Sequence, residues 1–333
     1  MPRLLITGRF KASKLIAEIR AGTSPANHLL AASVLDERGW EVSALELTER
    51  ELASSRAFQW RVWREQSRFD AILAYNYHDI RLLGALKLLG LLRPTLTGLV
   101  HVMKPRPWER ITTAGCERLF VLSRAAVNGL AQCGAVSPRT VYFPYGADER
   151  FYHELPWTDV ASIVLSVGVT GRDFATLIAA ARQIDAPVHI VGRVAKQDIE
   201  SAPANVTFHS SGNYDLPFSS LLALYQRAAC VVVAHHGNEN PNGLNAVMEA
   251  LALGRPLVLT AGPGMDIDVD AMACGHMVPA GNPSVLAERV NRIVADPALA
   301  RTMGRNARQQ VERVYNTQRM ADILDRELRA ARD

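Results

Sequence analysis

The chain has 333 residues, about twice the usual length of one domain, so we expect two domains that each bury a core. Hydrophobic residues make up 48% and charged residues 21%, a globular composition that excludes a disordered or fibrous protein. The most apolar stretch, residues 82–92, is too short for a membrane span, which needs ~20 apolar residues. With no signal-peptide pattern and four widely spaced cysteines, we expect a cytoplasmic protein with reduced thiols.

Charge is unevenly distributed along the chain. Residues 1–150 contain 21 basic and 14 acidic side chains, a net charge of +7, whereas residues 151–333 contain 16 and 19, a net charge of −3. This asymmetry indicates that the first half meets an anionic partner, and it leaves open a membrane surface, nucleic acid or phosphate.

Short β-branched and apolar runs alternate with helical periods along the whole chain, which is typical of parallel sheets covered by helices. Strands are predicted at residues 3–8, 41–47, 69–75, 97–102, 118–123, 141–145, 162–168, 187–192, 206–209, 230–235, 256–260 and 276–279. Three helices follow, at residues 283–296, 298–315 and 317–333, and we expect the last to cross back to the first domain. The turn-rich stretch 146–160 is the predicted domain boundary.

In open parallel sheets, ligands bind beyond the carboxyl ends of strands, so functional residues are expected there. The stretch 236–260 has a loop rich in Asn and Gly, followed by an apolar helix that begins at Gly243 and ends at Gly254. Glu249 is the only charged residue of this helix, and a buried carboxylate is costly unless it is hydrogen-bonded. Ribose hydroxyls would satisfy it; the alternatives are a carboxylate in solvent or a pair with Arg255.

The sequence GLNAVMEALALGRPLV at residues 243–258 resembles the signature E-x-F-G-L-x-x-L-E-A-M-A-x-G-x-P-V-V of the retaining nucleotide-sugar glycosyltransferases of family 4. The resemblance implies the GT-B fold, which is an α/β fold of two Rossmann-like parallel-sheet domains facing a cleft. It also implies a nucleotide-sugar donor, no bound metal or other cofactor, and a ribose-binding role for Glu249.

The family's first glutamate falls on Pro241 in this chain, which is a departure from the signature. Glu239, two positions earlier, either replaces this sugar-contacting carboxylate as a catalytic residue or is a solvated loop residue. The resemblance further assigns donor binding to the start of the helix, at Asn242, Gly243, Leu244 and Asn245.

Cleavage of a sugar–phosphate bond leaves negative charge on the diphosphate, which positioned cations stabilise. Arg172 follows a predicted strand and begins a helix, although the family's arginine position falls on Val169. Arg193 and Lys196 follow the next strand and are the second choices. Each of the three has an alternative role as a surface charge.

Two residues of the first half are also candidates by resemblance. Gly22 lies after a long connection at residues 8–22, where the family has a glycine loop that approaches the donor diphosphate. His101 ends a strand where the family has an acceptor-side histidine, and His78 is the alternative. A lone histidine is otherwise more often structural.

Two further motifs have competing interpretations. Asp266, Asp268 and Asp270 resemble a D-x-D metal motif, but apolar residues alternate with them and we predict no metal. Residues 56–68 combine Phe58, Trp60 and Trp63 with arginines. They form either a helix that covers the sheet or an interfacial surface for anionic lipid or a lipid-linked acceptor.

The sequence therefore predicts a metal-independent retaining glycosyltransferase. Residues 1–150, with 316–333 packed on them, would bind a glycan, lipid-linked or small-molecule acceptor, and residues 151–315 would bind the donor. The predicted location is the cytoplasm, with peripheral contact at the inner face of the membrane left open and nucleic acid the least favoured partner. The alternatives are a nucleotide-sugar epimerase of the same fold and a non-catalytic sugar-binding subunit.

Overall fold

The computed structural model describes residues 1–8, 10–102, 106–135, 139–157, 163–209 and 216–332. The chain forms two compact units, one of Met1–Phe151 with Tyr315–Asp333 and the other of Tyr152–Val314. Residues 158–160 of the predicted boundary and Ser162 of a predicted strand lie outside the described residues. Within the described ranges, no helix is long and apolar enough to cross a membrane.

The first unit contains a six-stranded parallel sheet in the order β2-β1-β3-β4-β5-β6. Its strands are β1 (Arg3–Thr7), β2 (Glu41–Ala44), β3 (Ala71–Ala74), β4 (Thr95–Val100), β5 (Arg118–Val121) and β6 (Thr140–Tyr142). Every residue of β3 and β4 is buried, because helices cover both faces of a parallel sheet. This explains why these strands are almost continuously apolar.

Among the residues that the structure describes, six α-helices precede the last strand of this sheet. They are α1 (Ala12–Arg20), α2 (Glu49–Ala53), α3 (Ser55–Arg64), α4 (Arg81–Leu88), α5 (Pro107–Ala114) and α6 (Arg124–Gln132). Polar caps fix several starts: Thr48 and Glu51 form a capping box on α2, and Ser123 caps α6. The connection 8–22, which the sequence indicates as a loop, thus contains the helix α1.

The second unit contains another six-stranded parallel sheet, in the order β12-β11-β10-β7-β8-β9. Its strands are β7 (Ile163–Gly168), β8 (Val188–Gly192), β9 (Val206–Phe208), β10 (Ala228–Val233), β11 (Leu257–Thr260) and β12 (Gly275–Val278). Its helices are α7 (Phe174–Ala181), α8 (Lys196–Glu200), α9 (Phe218–Arg227), α10 (Leu244–Ala252), α11 (Pro283–Val294) and α12 (Pro297–Arg313). All twelve predicted strands overlap observed ones.

The last helix, α13 (Thr317–Ala330), packs on the first unit as predicted. The indole nitrogen of Trp40 donates to Asp325 at 2.7 Å, and Arg118 pairs with Glu327 at 3.0 Å. Gly146 lies so close to this segment that an added Cβ would be 2.5 Å from the backbone nitrogen of Asn316. A glycine at this position therefore permits the approach.

Each sheet has one place where the chain reverses its direction of strand addition. In the first unit it lies between β1 and β3, and in the second between β7 and β10. The loops that follow these two neighbouring strands lead to opposite faces of the sheet. A crevice therefore opens between the loops, at the carboxyl ends of the two strands. The two crevices define where each unit can bind a ligand.

Candidate functional site

The crevice of the second unit brings together two loops that are distant in sequence. Arg172 lies just after β7, and His235 lies just after β10. An antiparallel bridge joins these two residues, so the loops are fixed to each other. The loop after β10 then runs directly into α10.

The guanidinium of Arg172 is held in a defined position. Its Nε and Nη2 atoms donate to the carbonyl oxygen of Val167 at 3.1 and 3.0 Å. Gly168 has a φ of +146°, and a side chain there would collide with the guanidinium. Gly243 has a φ of +106°, and a Cβ there would lie 3.0 Å from Nη1 and 2.6 Å from Cγ1 of Val233. Two glycines therefore make the space for this cation.

The start of α10 lies against the same cation. This helix begins after Gly243, and no side chain caps it. The first N–H groups of a helix have no partner within the helix, and they favour anions. The side-chain amide of Asn242 packs against Gly171. A Cβ at Gly171 would lie 2.2 Å from Nδ2 of Asn242, so a side chain there would collide with this amide. Arg172 and the helix start together make a positively polarised seat.

Glu249, on α10, is buried with 8% of its surface exposed. Its Oε2 accepts from the hydroxyl of Tyr225 at 2.7 Å, and its Oε1 accepts from the hydroxyl of Tyr152 at 3.5 Å. Burial raises the pKa of Glu249 to about 7, although the Tyr225 hydrogen bond and the charge of Arg172 lower it. The carboxylate is thus the acceptor of a buried polar cluster beside Arg172.

Arg255 does not neutralise Glu249, although pairing of the two is one of the sequence-based alternatives. Its guanidinium donates to the carbonyl oxygens of Tyr225 and Pro156, at 2.8 and 2.9 Å, and lies over the ring of Trp157. The alternative in which Glu249 points to solvent is likewise wrong, since the side chain is buried.

Sequence reasoning missed Tyr152 and Tyr225, which hold Glu249. Both are almost fully buried, each with 1% of its surface exposed. Tyr225 is near the end of α9, and Tyr152 is the first residue of the second unit. No local pattern marks either residue, because only the packing of α9 and the boundary segment on α10 brings them together.

The other donor-binding candidates lie farther from this cluster or in solvent. Leu244 is buried at the helix start, and Asn245 is exposed. Glu239 is exposed in the loop after β10. Arg193 is exposed after β8, and Lys196 is 90% exposed and pairs with Glu200 at 3.6 Å. Arg172 is therefore the cation that the structure associates with Glu249 and α10.

The crevice of the first unit is a cavity of about 430 Å³. Its lining includes Phe10 after β1 and Tyr75, Asn76 and Asp79 after β3. The rings of Phe10 and Tyr75 meet edge to face, with centroids 5.1 Å apart. Aromatic faces beside amide and carboxylate groups suit a polyhydroxylated ligand, which needs both apolar contact and hydrogen bonds.

His101 follows β4 and adjoins this cavity through Tyr75, with ring centroids 6.0 Å apart. Burial, with a smaller contribution from the charge of His78, lowers the pKa of His101 to about 4. The imidazole is therefore neutral near pH 7. It can exchange hydrogen bonds with a ligand without adding charge. The alternative, His78, contacts Arg81 at 3.0 Å.

Gly22 has a local structural role at the end of α1. Its N–H donates to Ile19 at 3.0 Å, and the N–H of Thr23 donates to Glu18 at 2.9 Å. This pair of bonds is a helix-ending motif, which needs the left-handed φ of +70° seen at Gly22. The positive φ thus ends a helix, and contact with a diphosphate stays a prediction.

The aspartates of the D-x-D-like stretch stabilise a turn. Asp268 accepts from the N–H of Ala271 at 2.9 Å, and Asp270 accepts from the N–H of Met277 at 2.9 Å. Asp270 also faces Nδ1 of His276 at 3.1 Å. Within the described ranges, no group of three or more His, Cys, Asp or Glu residues could hold a metal ion.

Comparison with known proteins finds similarity to glycosyl transferases over most of the second unit. Residues 155–310 match the family model described as Glycosyl transferases group 1. A stretch of 92 residues is 37% identical to the D-inositol 3-phosphate glycosyltransferase of Streptomyces bingchenggensis, covering 28% of this chain and 20% of that protein. These matches support a glycosyltransferase.

Solved structures resemble both units. Sucrose-phosphate synthase from Thermosynechococcus elongatus matches with a TM-score of 0.75 at 20% identity, over 99% of this chain and all of that one. Anabaena Alr3699/HepE in complex with UDP and glucose matches with a TM-score of 0.73 at 15% identity, with the same coverage. At such low sequence identities the similarity shows the fold alone. It confirms the predicted GT-B fold, an α/β fold with two parallel-sheet units.

Proposed function

We propose that the protein is a retaining glycosyltransferase of the family 4 type, which moves a sugar from a nucleotide-sugar donor to an acceptor. The observation that carries the proposal is the buried Glu249 beside Arg172 at the start of α10. A buried carboxylate on α10 and a cation at the start of the same helix suit the ribose and the diphosphate of one nucleotide. Both residues lie in the region that matches the Glycosyl transferases group 1 model.

In the proposed reaction, the bond between the anomeric carbon and the donor phosphate breaks, and the electron pair goes to the diphosphate. Arg172 is already fixed by Val167, so it stabilises this charge without rearranging. The N–H groups at the start of α10 add to the effect. The oxygen of the acceptor hydroxyl bonds to the anomeric carbon and its proton passes to the departing phosphate, and a metal ion is not required for these steps.

Glu249 binds the nucleotide in this proposal. Its ionised carboxylate accepts hydrogen bonds from the ribose hydroxyls, and Oε1, whose bond to Tyr152 is long at 3.5 Å, is the oxygen best placed to do so. Glu239, Asn242 and Asn245 are proposed to contact the donor sugar or phosphates from the loop and the helix start. Arg193 and Lys196 remain secondary cations.

The first unit supplies the acceptor site in this proposal. The cavity at Phe10, Tyr75 and Asp79 receives the acceptor, and the neutral His101 orients it through a hydrogen bond. The acceptor is a glycan, a lipid-linked molecule or a small molecule with a free hydroxyl. Gly22 is proposed to approach the donor from the end of α1.

Nucleotide binding is the direct test of the donor site. We expect UDP, GDP, ADP or TDP to raise the melting temperature, with UDP the first choice because Alr3699/HepE was solved with UDP and with UDP-glucose. Glu249→Gln should weaken binding of the nucleotide that raises the melting temperature by at least about tenfold, since a hydrogen bond to a charged group is lost. Glu154→Gln, in the same unit, is the control. Absence of any response to all four nucleotides would contradict the proposal.

Measurement of the reaction products distinguishes a transferase from the two alternatives, an epimerase and a non-catalytic sugar-binding subunit. None of the relatives named above is an epimerase, so the comparisons do not favour that function. Incubation with the nucleotide sugar alone would produce the epimeric nucleotide sugar if the protein were an epimerase. A protein that binds nucleotide but neither hydrolyses the donor nor transfers its sugar would be a non-catalytic partner.

A further inference from the structure

The first unit has an exposed face that combines large apolar and basic side chains. We define the α3–α4 face as Arg56, Trp60 and Arg64 on α3 with Leu88, Leu89 and Leu91 at the end of α4. The exposed fractions of Trp60, Leu88, Leu89 and Leu91 are 50%, 52%, 71% and 50%. Folding buries large apolar side chains, so a group this exposed indicates an interaction surface.

Ring contacts and hydrogen bonds join the tryptophans of α3 to the segment that follows α4. The ring of Trp60 lies 4.8 Å from the ring of Trp63, measured between centroids. The indole nitrogen of Trp63 donates to the carbonyl oxygen of Leu91 at 2.9 Å, and the amide of Gln66 donates to the same oxygen at 3.1 Å. These bonds attach the leucine segment to α3, so Trp60 and Leu91 belong to one surface.

The basic part flanks Trp60. Arg56 and Arg64 are one helical turn before and after it, hence on the same side of α3. All three line a cavity of about 820 Å³ together with Arg50. The acidic residues of the cavity have other partners, since Glu51 and Glu65 both bind Arg61, at 3.0 and 2.9 Å.

The arginines of the face thus keep their charge available. Over the residues that the structure describes, Arg50, Arg56 and Arg64 make no ion pair. All three are exposed. A partner that covers this face must bring negative charge to the cavity and apolar surface to Trp60 and the leucines.

We propose that the α3–α4 face docks on an anionic lipid bilayer. Headgroup phosphates lie against Arg56 and Arg64, and Trp60 and Leu89 enter the boundary between headgroups and acyl chains. A bilayer supplies phosphate and hydrocarbon side by side, which matches the order of charge and apolar surface on this face. Tryptophan favours this boundary because its ring is apolar and its N–H is polar. This inference does not depend on the donor chemistry.

Vesicle flotation of the 333-residue protein tests the proposal. We expect binding to vesicles of phosphatidylglycerol mixed with phosphatidylcholine, and little binding to phosphatidylcholine alone. Arg56→Glu with Arg64→Glu should weaken binding at least about 25-fold, since each basic side chain near an anionic surface contributes roughly fivefold. Leu89→Glu should weaken it by roughly tenfold, through loss of apolar burial.

Matched controls lie on the second unit. Ile199 is 41% exposed on α8, so Ile199→Glu controls for Leu89→Glu. Arg305→Glu with Arg313→Glu, at exposed positions of α12, controls for the double charge reversal. We expect both controls to float like the unaltered protein and all variants to keep its melting temperature.

Three results would overturn the proposal. The first is equal flotation with anionic and neutral vesicles, and the second is equal loss in the controls and the face variants. The third is that inorganic phosphate, at matched ionic strength, raises the melting temperature and abolishes flotation, while Leu89→Glu floats normally. This result would indicate a site for a soluble anion and not for a bilayer. Because nucleotide binding is measured separately, failure here leaves the proposed function intact.

Discussion

The crevice of the second unit, between β7 and β10, holds a buried carboxylate and a fixed guanidinium. The crevice of the first unit, between β1 and β3, is lined by Phe10 and Tyr75 with two polar side chains, and its neighbouring histidine is neutral. The two crevices occupy equivalent topological positions in two parallel sheets. Their difference teaches that topology places a crevice, whereas the side chains on the loops and helix beside it determine its charge.

Glycines with a positive φ have two kinds of surroundings in this chain. Gly168 and Gly243 both lie against the guanidinium of Arg172, where a side chain would take its space. Gly22 and Gly281 have similarly positive φ angles, but a Cβ at either would have no heavy atom within 4 Å. Tertiary neighbours therefore require a glycine at residues 168 and 243, whereas at residues 22 and 281 the positive φ alone accounts for it.

The largest expected effect tests the charge of the second crevice. Arg172→Ala should lower turnover about 100- to 1000-fold, because a preorganised charge at the leaving group is lost. The measurement is sugar transfer or donor hydrolysis, using the nucleotide identified by thermal shift. Arg193→Ala is the control and should cost a few-fold at most. Equal losses in the two variants would remove the distinction between Arg172 and a surface arginine.

A smaller effect tests the crowded glycines. Gly243→Ala should weaken nucleotide binding by about tenfold and destabilise the fold by about 1–3 kcal/mol, since it strains the backbone and displaces Val233 or Arg172. Gly281→Ala introduces the same residue at a positive φ in open space. It should leave nucleotide affinity unchanged, and a comparable loss of affinity in this control would contradict the argument.

The pH dependence gives an effect of similar size without a change of sequence, and it should differ between the two crevices. With a pKa of about 7, Glu249 loses its charge as the pH falls, so nucleotide affinity should be about tenfold weaker at pH 6 than at pH 8. Titration calorimetry would measure this, and Glu249→Gln should flatten the profile. His101→Asn should leave the profile unchanged, because His101 stays neutral throughout this range. A flat profile in the unaltered protein would contradict the assignment of Glu249.

The same raised pKa has the opposite sign for stability. Glu249 is more easily deprotonated when the protein is unfolded, so its contribution to the free energy of unfolding is full below pH 4.5 and falls as the pH rises through 7. Ligand binding and stability therefore place opposite demands on this carboxyl group.

The sequence predicts the fold of this protein well. All twelve strands, the start of α10 at Gly243 and the return of α13 to the first unit follow from hydrophobic periodicity, turn residues and the family resemblance. These features are local or repeat along the chain, so residue order is enough to reveal them. Helix α1 is not among the predicted elements, since residues 8–22 are interpreted as a long connection from a strand to a glycine loop.

The candidate site is only partly predictable. The sequence identifies Glu249 as an unusual charge in an apolar helix, but it leaves its partner open between ribose, solvent and Arg255. The two tyrosines that bind Glu249, and the glycines that frame Arg172, become evident only after folding. The periodicity of neighbouring residues thus determined the strands and their positions along the chain. Tertiary structure decided which side chains meet at the strand ends, because those contacts join residues that are 24 to 97 positions apart.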